Sequence, residues 1–600
     1  MARRGIPLHV LNLAASLAAR RGTEPSRELF AIGFDPNRYW ALLAQDLGLN
    51  FVANLDDARL PNRLGFVTAE AVRLASYVLV EIGGRSVVAM APRTDEIALL
   101  AARLKQTPSL KDRILIAAPE TIRGFLLARR KTALTHYAVN RLAQVMPRFS
   151  ARDLGAEEAM RGRATLLAAA LALVMLAPAA ATQTLLFLGT MFFFNCSFWK
   201  LAAAFSPLRP LRLEAVPTAR LPSYTVLVPL YREAAVVPDL VRHLAAMDYP
   251  PSKLQIVILL EADDAESRAA VLHHARSPIF EPIVVPPGGP RTKPKALTYA
   301  LPFSRGDLIV VFDAEDRPEP DQLRKAAAAF RERPDLGCVQ ARLRPDNAGS
   351  WFAKMFTLEY AANFEILLPA LAALRVPLPL GGTSNHFPRR VLEKVGAWDP
   401  YNVTEDADLG IRLARFGYQS ATILSRTYEE APVTFRQWLP QRRRWIKGWM
   451  QTAILCLAGR APAALRLSRR ENLAVHGIIT AGVLGLLFYP LSFLVIGSAV
   501  LAIIRDDGPT TLLASVLLGV NLINLAAILT AAAISGLRGL RATGALHLAG
   551  LILLLPAYWA LMSLAAWQAL FQLFRAPSKW EKTPHGVARD RRTPIGPPSC

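Results

Sequence analysis

Long apolar runs divide the chain into membrane-spanning and soluble parts. A helix of about 20 apolar residues is long enough to cross the hydrocarbon core of a bilayer. Five runs reach or approach this length: 164–181, 184–205, 473–504, 511–535 and 545–574. Lys200 is the one charged residue within the first two runs. The sequence therefore predicts an integral membrane protein with a soluble domain at 206–460, between two groups of membrane helices.

The positions of basic residues predict how the membrane segments are arranged. Residues 164–205 form a hairpin in this prediction, with an uncharged tip at Thr182 and Gln183 and arginine-rich outer flanks. Basic flanks favour the cytoplasmic side, so both ends of the hairpin and the basic tail at 575–600 are predicted to be cytoplasmic. This requires an even number of crossings in 473–574. One of its three apolar stretches would be re-entrant or interfacial, or would split at its proline, and the number of crossings stays open.

Charge and cysteine content narrow the function classes. Lys+Arg 70 stand against Asp+Glu 47, which gives a formal net charge of +23. This excess suits a cytoplasmic face against anionic lipid, or a phosphate-bearing substrate. No nucleic-acid-binding motif accompanies it, so we expect no nucleic acid partner. The cysteines are too far apart to indicate a disulfide framework or a zinc site: Cys196, Cys338, Cys456 and Cys600.

The part before the first apolar run divides into three segments. Residues 1–27 are an amino-terminal extension. Residues 28–130 alternate strand and helix patterns, such as RSVVAMAP and the segment opened by Pro119 and Glu120, and predict a small α/β domain. Residues 131–163 follow as a basic linker helix, which is predicted to lie along the membrane surface.

Acidic side chains follow the apolar strands of the soluble domain. We predict strands at 224–230 (YTVLVPL), 254–260 and 307–312, with helical patterns between them. This alternation is typical of a parallel sheet covered by helices, whose ligands bind at the carboxyl ends of the strands. Acids stand at those ends: Asp263, Asp264, Asp313, Glu315 and Asp316.

The acids after the third strand suit a divalent cation. Asp313, Glu315 and Asp316 repel one another unless a positive charge lies between them. Oxygen ligands favour Mg²⁺ or Mn²⁺, which usually complete their shell with substrate phosphates. An acidic solvated turn is the alternative for this motif taken alone. The shared position of the acids at one rim of the sheet favours a ligand site.

Two short motifs add polar groups to this domain. GGTSNHF begins at Gly381, and its Gly382 and Thr383 belong to a turn that could let the backbone approach a ligand closely. An ordinary tight turn is the alternative. Residues 404–406 (Thr-Glu-Asp) precede a helix, where acids also serve as ordinary first-turn residues.

A third motif combines an amide, a guanidinium and an indole. Gln441, Arg444 and Trp445 form a Gln-x-x-Arg-Trp pattern. A planar guanidinium beside an indole is what a diphosphate and a sugar ring require. Trp438, Trp445 and Trp449 also fit an aromatic stripe at the membrane interface, which is the alternative.

In this order the motifs resemble those of the processive family 2 glycosyltransferases, the class of cellulose and hyaluronan synthases. The resemblance covers about 206–586 and rests on the paired aspartates, Asp-x-Glu, Thr-Glu-Asp and Gln-x-x-Arg-Trp, framed by membrane segments. It implies a GT-A-type, Rossmann-like α/β domain inserted between transmembrane helices, with an interfacial helix at its end. The chain departs from cellulose synthase at Glu315, where an Asp is expected, and at the GGTSNH turn, and no PilZ domain follows the membrane region.

The resemblance implies inverting transfer of a sugar from a UDP-sugar to a growing glycan, which the membrane helices would translocate. A β-glucan or related exopolysaccharide is the expected product, while sugar and linkage stay open. Transfer of one sugar onto a lipid carrier is the alternative, and a signalling receptor with an inactive transferase part is a third hypothesis. Mg²⁺ or Mn²⁺ is the implied cofactor.

The resemblance also assigns roles to single residues. Asp406 would be the general base, with Thr404 and Glu405 beside it. The other implied roles are nucleotide-sugar binding by Tyr231, Glu233, Asp263, Asp264, Lys295, Gln441, Arg444 and Trp445; acceptor binding by Gly382, Thr383 and Trp445; and metal binding by Asp313, Glu315 and Asp316.

Two flanking segments resemble other modules. LFAIGFDPNRYWALLAQDLGLNFV is similar, in degenerate form, to half of the amino-terminal domain of type II secretion ATPases, which in some relatives binds cyclic di-GMP. Residues 28–130 are thus a regulatory or interaction module in this prediction, with cyclic di-GMP or a regulatory protein as partner. The tail resembles the gating loop of cellulose synthase at Lys582, Thr583 and His585, a solvated tail being the alternative. The implied location is a bacterial inner membrane, with the catalytic domain and both termini in the cytoplasm.

Overall fold

The computed structural model of the protein describes residues 6–60, 77–92, 94–155, 175–176, 178–208, 211–458, 462–504 and 512–581. A four-stranded sheet belongs to the amino-terminal part, and an eight-stranded sheet belongs to the domain that carries the acidic motifs. Four segments of the described residues are helical, long and apolar enough to cross a membrane.

The amino-terminal sheet has the order β1-β4-β3-β2. Strands β2 and β3 form an antiparallel hairpin, while β3, β4 and β1 run parallel. Its strands are β1 (Asn50–Val52), β2 (Tyr77–Ile82), β3 (Arg85–Met90) and β4 (Ile114–Ala117). The helices of this part are α1 (Leu8–Arg21), α2 (Pro25–Ala31), α3 (Pro36–Leu47), α4 (Thr94–Gln106) and α5 (Pro119–Arg129). The predicted α/β character is therefore present.

The eight-stranded sheet has the order β7-β6-β5-β8-β11-β10-β12-β9. Its strands are β5 (Tyr224–Leu230), β6 (Leu254–Glu261), β7 (Phe280–Val285), β8 (Leu308–Val311), β9 (Arg317–Pro318), β10 (Leu336–Pro345), β11 (Asn385–Pro388) and β12 (Gln419–Glu429). The first four strands of this order run parallel. Because β11 is antiparallel to both β8 and β10, the sheet is mixed and not parallel as predicted.

Strand β11 is an element that the sequence pattern does not reveal. Its residues Asn385 and His386 are polar, so the segment lacks the apolar run that indicates a buried strand. His386 is nevertheless fully buried, with Nδ1 2.6 Å from the Tyr224 hydroxyl and Nε2 3.2 Å from Oε1 of Gln322. These partners satisfy the imidazole and let a polar segment occupy the middle of the sheet.

Helices cover both faces of the sheet. They are α8 (Val237–Ala245), α9 (Ala265–His274), α10 (Lys293–Ala300), α11 (Gln322–Glu332), α12 (Trp351–Ala362), α13 (Leu368–Ala373), α14 (Arg389–Lys394) and α15 (Glu405–Arg415). Along β5, Val226 and Val228 belong to one apolar cluster and Leu227 to another. Burial on both faces explains why the central strands are apolar throughout.

Helix α6 (Lys131–Val145) corrects the prediction of a linker on the membrane surface. Its residues Leu134, Ala138 and Leu142 are buried, and the helix packs against α10 of the soluble domain. The four-residue spacing gives the helix one apolar face, as membrane binding would require. That face is occupied by protein contacts, so it is not available to a membrane.

The membrane-length segments are Leu186–Phe205, Arg469–Leu491, Ser515–Ala542 and Leu546–Arg575. They belong to α7 (Pro178–Phe205), to α17 (Arg469–Val475) and α18 (Ala481–Ile504), to α19 (Leu512–Ala542), and to a 3-10 segment (Leu546–Leu554) that continues into α20 (Leu555–Arg575). The last stretch changes from a 3-10 helix to an α-helix just before Pro556 and remains one membrane-length segment. Helix α16 (Phe435–Leu457) precedes these segments.

The predicted hairpin tip is wrong in position. Thr182 and Gln183 lie within α7, whose described part runs from Pro178 to Phe205. Neither Thr nor Gln interrupts a helix strongly enough to end it. Most of the preceding run, 164–181, lies outside the described residues.

Candidate active site

A large cavity of about 550 Å³ lies at the carboxyl ends of β5, β6 and β8 and continues between the membrane-length helices. Most of the predicted site residues line it: Tyr231, Glu233, Asp313, Glu315, Gly382, Thr383, Thr404, Glu405, Asp406, Gln441, Arg444 and Trp445. Of the five acids predicted at strand ends, Asp313 and Glu315 line this cavity.

The acidic turn after β8 separates its carboxyl groups. Asp313 and Glu315 line the cavity, whereas Asp316 is 1% exposed. Asp316 accepts the N–H of Asp313 at 2.7 Å and the hydroxyl of Thr383. Burial, together with the charges of Asp313 and Glu315, raises the pKa of Asp316 well above its usual range. Asp316 thus stabilises the turn through Oδ2, and its role as a metal ligand stays a prediction.

Lys293 occupies the neighbourhood of Asp313. Its Nζ forms an ion pair with Asp313 and donates to the Gly382 carbonyl at 2.8 Å. Burial opposes the charge of Lys293, but Asp313 and Glu405 outweigh this effect and raise the pKa of Lys293 to about 12. The cavity therefore holds an ammonium group beside its carboxylates.

The two cavity-facing carboxylates suit a divalent cation that arrives with a phosphate-bearing substrate. Among the described residues, no group of three or more His, Cys, Asp or Glu side chains is arranged to hold a metal ion. Mg²⁺, however, is commonly held by one or two carboxylates together with substrate phosphates. Asp313 and Glu315 provide such a pair at the cavity wall.

The paired aspartates after β6 have different surroundings. Asp264 is buried, caps α9 and accepts the N–H of Arg232 at 2.5 Å. Arg232 has a φ of 55°, so this hydrogen bond holds a left-handed turn after β5. Asp263 is exposed and pairs with Arg291 at 2.8 Å, and Arg291 also donates to the Tyr231 hydroxyl at 3.0 Å. The structure brings Asp263 to the rim and gives Asp264 a structural position instead.

Lys295 does not reach the cavity, which corrects its prediction as a phosphate ligand. It is fully buried, donates to the Pro286 carbonyl at 2.8 Å and lies 3.7 Å from the Glu261 carboxylate. Residues two apart on a helix point about 200° away from each other, so only one of Lys293 and Lys295 can face the site. Of the two, it is Lys293 that lines the cavity.

Glycine allows the close packing that brings residues 404–406 into the cavity. A Cβ atom at Gly448 of α16 would lie 2.3 Å from Oγ1 and 2.6 Å from the backbone nitrogen of Thr404. Helix α16 therefore crosses the start of α15 at a distance that a larger residue would increase. A Cβ atom at Gly382 would lie 3.4 Å from Oδ2 of Asp406. The Asp406 carboxylate thus faces the GGTSNH turn.

Burial and mutual repulsion favour a proton on the pair Glu405 and Asp406. Burial and then the charge of Asp406 raise the pKa of Glu405 to about 8. Burial also raises the pKa of Asp406, while Lys293 and Arg444 act in the opposite direction. A carboxylate with a raised pKa and a neighbouring cation is suited to accept a proton near neutral pH.

Helix α16 supplies the amide, guanidinium and indole of the third motif. The Arg444 guanidinium lies 4.4 Å from the centre of the Trp580 ring. The Trp445 ring is supported by Arg442, whose guanidinium lies 4.6 Å from the ring centre. Trp438, in contrast, is fully buried and donates to the Tyr558 hydroxyl at 3.0 Å, so it belongs to the core and not to an interfacial stripe.

The segment after α20 is held across α16. Lys447 donates to the carbonyls of Ala576 and Lys579 at 3.2 and 2.8 Å, and Arg443 pairs with Glu581 at 2.6 Å. These contacts bring Trp580, at the start of the segment that resembles a gating loop, to the cavity wall. The loop residues themselves lie outside the described residues: Lys582, Thr583 and His585.

Sequence reasoning missed several side chains that line the cavity. Lys293 and Lys200 are two of them, and Lys200 is conspicuous in the sequence as the one charge in an apolar run. Glu429 and Glu430 also line the cavity and stand at the end of β12, as the other acids stand at strand ends. The same strand-end rule could have found this pair. No comparable sequence pattern indicated that Arg291 would line the cavity.

Comparison with known families identifies the class of this domain. The model of "Glycosyl transferase family group 2" matches residues 308–572, and that of "Glycosyl transferase family 2" matches residues 225–379. Their matches include β5, β8, the acidic turn, residues 404–406 and α16. The chain therefore contains family 2 glycosyltransferase domains, which combine a mixed sheet with several apolar helices.

Individual relatives match part of the chain. A probable glycosyltransferase, YdaM, from Bacillus subtilis is 26% identical over 40% of this chain and 58% of its own length. A beta-monoglucosyldiacylglycerol synthase from Synechocystis is 29% identical over 42% of this chain and 56% of its own length. The matches thus span little more than half of these curated relatives.

Among solved structures, a mannosyltransferase from Pyrobaculum calidifontis in complex with GDP-Man and Mn²⁺ is 20% identical. The alignment covers 66% of this chain and 99% of that chain, with a TM-score of 0.43.

Proposed function

We propose that this chain transfers a single sugar from a UDP-sugar donor to a hydroxyl group of a membrane lipid. One observation carries the proposal: the cavity that contains the carboxylates continues into a space with apolar walls between the membrane-length helices. These walls include Ile478, Leu486, Ile528, Ala531 and Met562. Apolar walls favour the hydrocarbon part of a lipid, since contact with a hydrated glycan would leave its hydroxyl groups without partners.

Relatives named beta-monoglucosyldiacylglycerol synthase support a lipid acceptor for the aligned region. In this proposal the membrane-length helices cross a bacterial inner membrane, and the cavity opens to cytoplasmic donor at its polar end. The lipid enters from the bilayer at its apolar end.

The reaction uses the residues at the polar end of the cavity. The acceptor oxygen attacks the anomeric carbon, the bond to the diphosphate oxygen breaks, and the acceptor proton passes to Asp406. Arg444 and Lys293 offset the negative charge that develops on the leaving diphosphate. Asp313 and Glu315 would hold Mg²⁺ or Mn²⁺, which when bound neutralises charge on that diphosphate. Attack opposite to the leaving group inverts the anomeric centre.

Elongation of a glycan is the second candidate function. Trp445, Trp449 and Trp559 all line the cavity, and indole rings are suitable surfaces for sugar rings. Under this alternative, Trp445→Ala impairs product elongation more than it impairs release of UDP from the donor. Equal loss of both would argue against a stacked acceptor sugar.

The deciding experiment measures product and UDP release together. The full chain in phosphatidylcholine vesicles receives Mg²⁺ or Mn²⁺, diacylglycerol, and either UDP-glucose or UDP-N-acetylglucosamine. We expect one donor to give a lipid that carries a single sugar. A long glycan from either donor would replace the proposal by the second candidate, and the absence of UDP release with both donors would contradict transfer of these sugars.

The amino-terminal module belongs to the proposal as a regulatory part. The buried carboxylate of Glu28 pairs with Arg21 at 2.7 Å and accepts the hydroxyl of Ser252 in the catalytic domain. Such contact supports communication between the two parts. Calorimetric titration of the full chain with cyclic di-GMP, with the rate of UDP release as a second readout, tests one candidate ligand. No heat of binding and an unchanged rate of UDP release would exclude cyclic di-GMP.

A further inference from the structure

Lys200 is a charged residue in an otherwise apolar, membrane-length helix. It lies within Leu186–Phe205, the part of α7 that is apolar enough to cross a membrane, and it lines the cavity. An ionisable side chain inside such a helix is costly, so it usually faces a polar pathway or a binding partner. The position of Lys200 on the cavity wall gives it such a pathway.

The acids carried by neighbouring elements already have cations of their own. Helix α7 packs against the π-helical turn Asn363–Leu367, whose Glu365 pairs with Arg342 and, at 3.3 Å, with Arg426. Glu359, which also lines the cavity, pairs with Arg442 at 2.6 Å. Within the described part of the chain, Lys200 itself has no ion pair or hydrogen bond from its ammonium group.

Capping of the helix does not account for Lys200 either. The last turn of α7 is held by Arg538, which donates to the carbonyls of Ala204 and Ser206. Lys200 stands five residues before the end of the helix, about 7.5 Å along its axis. Its charge is therefore directed to the cavity and not to the orphan carbonyls of the helix end.

We infer that Lys200 binds a phosphate group of the lipid acceptor. This inference rests on the proposed lipid transfer and adds to it a preference for lipids that carry both a hydroxyl group and a phosphodiester. The hydrocarbon part of the lipid lies against the apolar wall, and the phosphate meets the ammonium group of Lys200. The hydroxyl group of the same headgroup reaches Asp406.

The test compares two acceptors that differ by the phosphate. The full chain is placed in phosphatidylcholine vesicles with UDP-sugar and with equal mole fractions of either phosphatidylglycerol or diacylglycerol of the same acyl chains. We expect kcat/KM to be about tenfold higher for phosphatidylglycerol, since a charge-assisted hydrogen bond contributes about 1.4 kcal/mol or more. Lys200→Met should remove this preference, and Lys200→Arg should retain most of it.

Arg575→Met is the matched control. Arg575 is an exposed cation at the end of α20, outside the residues that line the cavity, so its loss should leave the preference unchanged. Equal use of the two lipids by the wild type would overturn the inference and leave lipid transfer standing. A preference for phosphatidylglycerol that survives in Lys200→Met would also overturn the inference without contradicting lipid transfer. A raised KM for the UDP-sugar in Lys200→Met, without a change in lipid preference, would assign the cation to the donor diphosphate. A glycan product without any glycosylated lipid would overturn both proposals.

Discussion

At the scale of single residues, the outcome depends on how each charge is surrounded. Asp313 and Asp316 belong to one turn, yet only Asp313 lines the cavity, while Asp316 accepts hydrogen bonds from the turn itself. Lys293 and Lys295 differ in the same way. Residue type and spacing identify such groups as candidates, but the direction of each side chain decides which of them can bind a substrate.

The first prediction at this scale concerns Asp406→Asn. The amide cannot accept the acceptor proton, so kcat for transfer should fall by about 10² to 10⁴, the usual contribution of a general base. Donor affinity, measured by titration with UDP-sugar, should stay within about threefold, because the shape of the side chain is kept. Asp153→Asn, a change at an exposed acid, is the control. Joint loss of donor binding and turnover would give Asp406 a structural role.

The second prediction concerns the pH dependence of the same step. A general base acts in its deprotonated form, so kcat should fall as the pH drops through the pKa of Asp406. Burial raises this pKa, so the acid limb of the pH–kcat profile should lie above the ordinary pKa of Asp, about 3.9. Lys293 lowers the pKa of Asp406, so Lys293→Met should move the acid limb to higher pH. A shift to lower pH in a pH–kcat profile would contradict this electrostatic assignment.

At the scale of helices and strands, one close contact positions the base. Gly448 lets α16 approach Thr404, and Gly448→Ala would force the two helices apart. We expect a loss of about 1 to 3 kcal/mol in stability, visible as a lower Tm, together with reduced transfer. Gly519→Ala in α19 is the matched control, because a Cβ atom there meets nothing within 4 Å. An unchanged Tm and rate for Gly448→Ala would show that the contact relaxes without cost.

Sequence patterns predict elements well where one physical signal dominates. The apolar run of β5 is buried on both faces, so its bounds at Tyr224–Leu230 follow directly from composition. Strand β11 could not be predicted in the same way, because its stability depends on partners far away in the chain, such as Tyr224 for His386. Helix α6 was predicted as a basic helix, but the sequence does not say whether protein or lipid covers its apolar face. The acids were predicted from their shared position at strand ends and the other site residues from the family resemblance, and the errors arise from side-chain direction.

At the scale of the whole molecule, the cavity connects the catalytic sheet with the membrane-length helices. Ile528, Ala531, Ala532 and Ser535 of α19 all line it, at spacings of three, four and seven residues that place them on one helix face. Ala526 lies on the same helix but is exposed on the outside. The helix thus contains one alanine that faces the cavity and one that faces away. A large side chain would obstruct a lipid acceptor at the first position and would not affect it at the second.

This difference leads to the last prediction. Ala532→Trp should block the apolar end of the cavity and lower kcat/KM for a long-chain diacylglycerol by about tenfold or more, a cost of at least about 1.4 kcal/mol. A short-chain, water-soluble diacylglycerol needs less of this space, so its transfer should change by less than about twofold. Ala526→Trp, which adds the same side chain outside the cavity, should leave both rates unchanged. If Ala532→Trp lowered transfer to both acceptors equally, the apolar space would not be the route of the acyl chains. If it lowered neither, the lipid would have to reach Asp406 from another side.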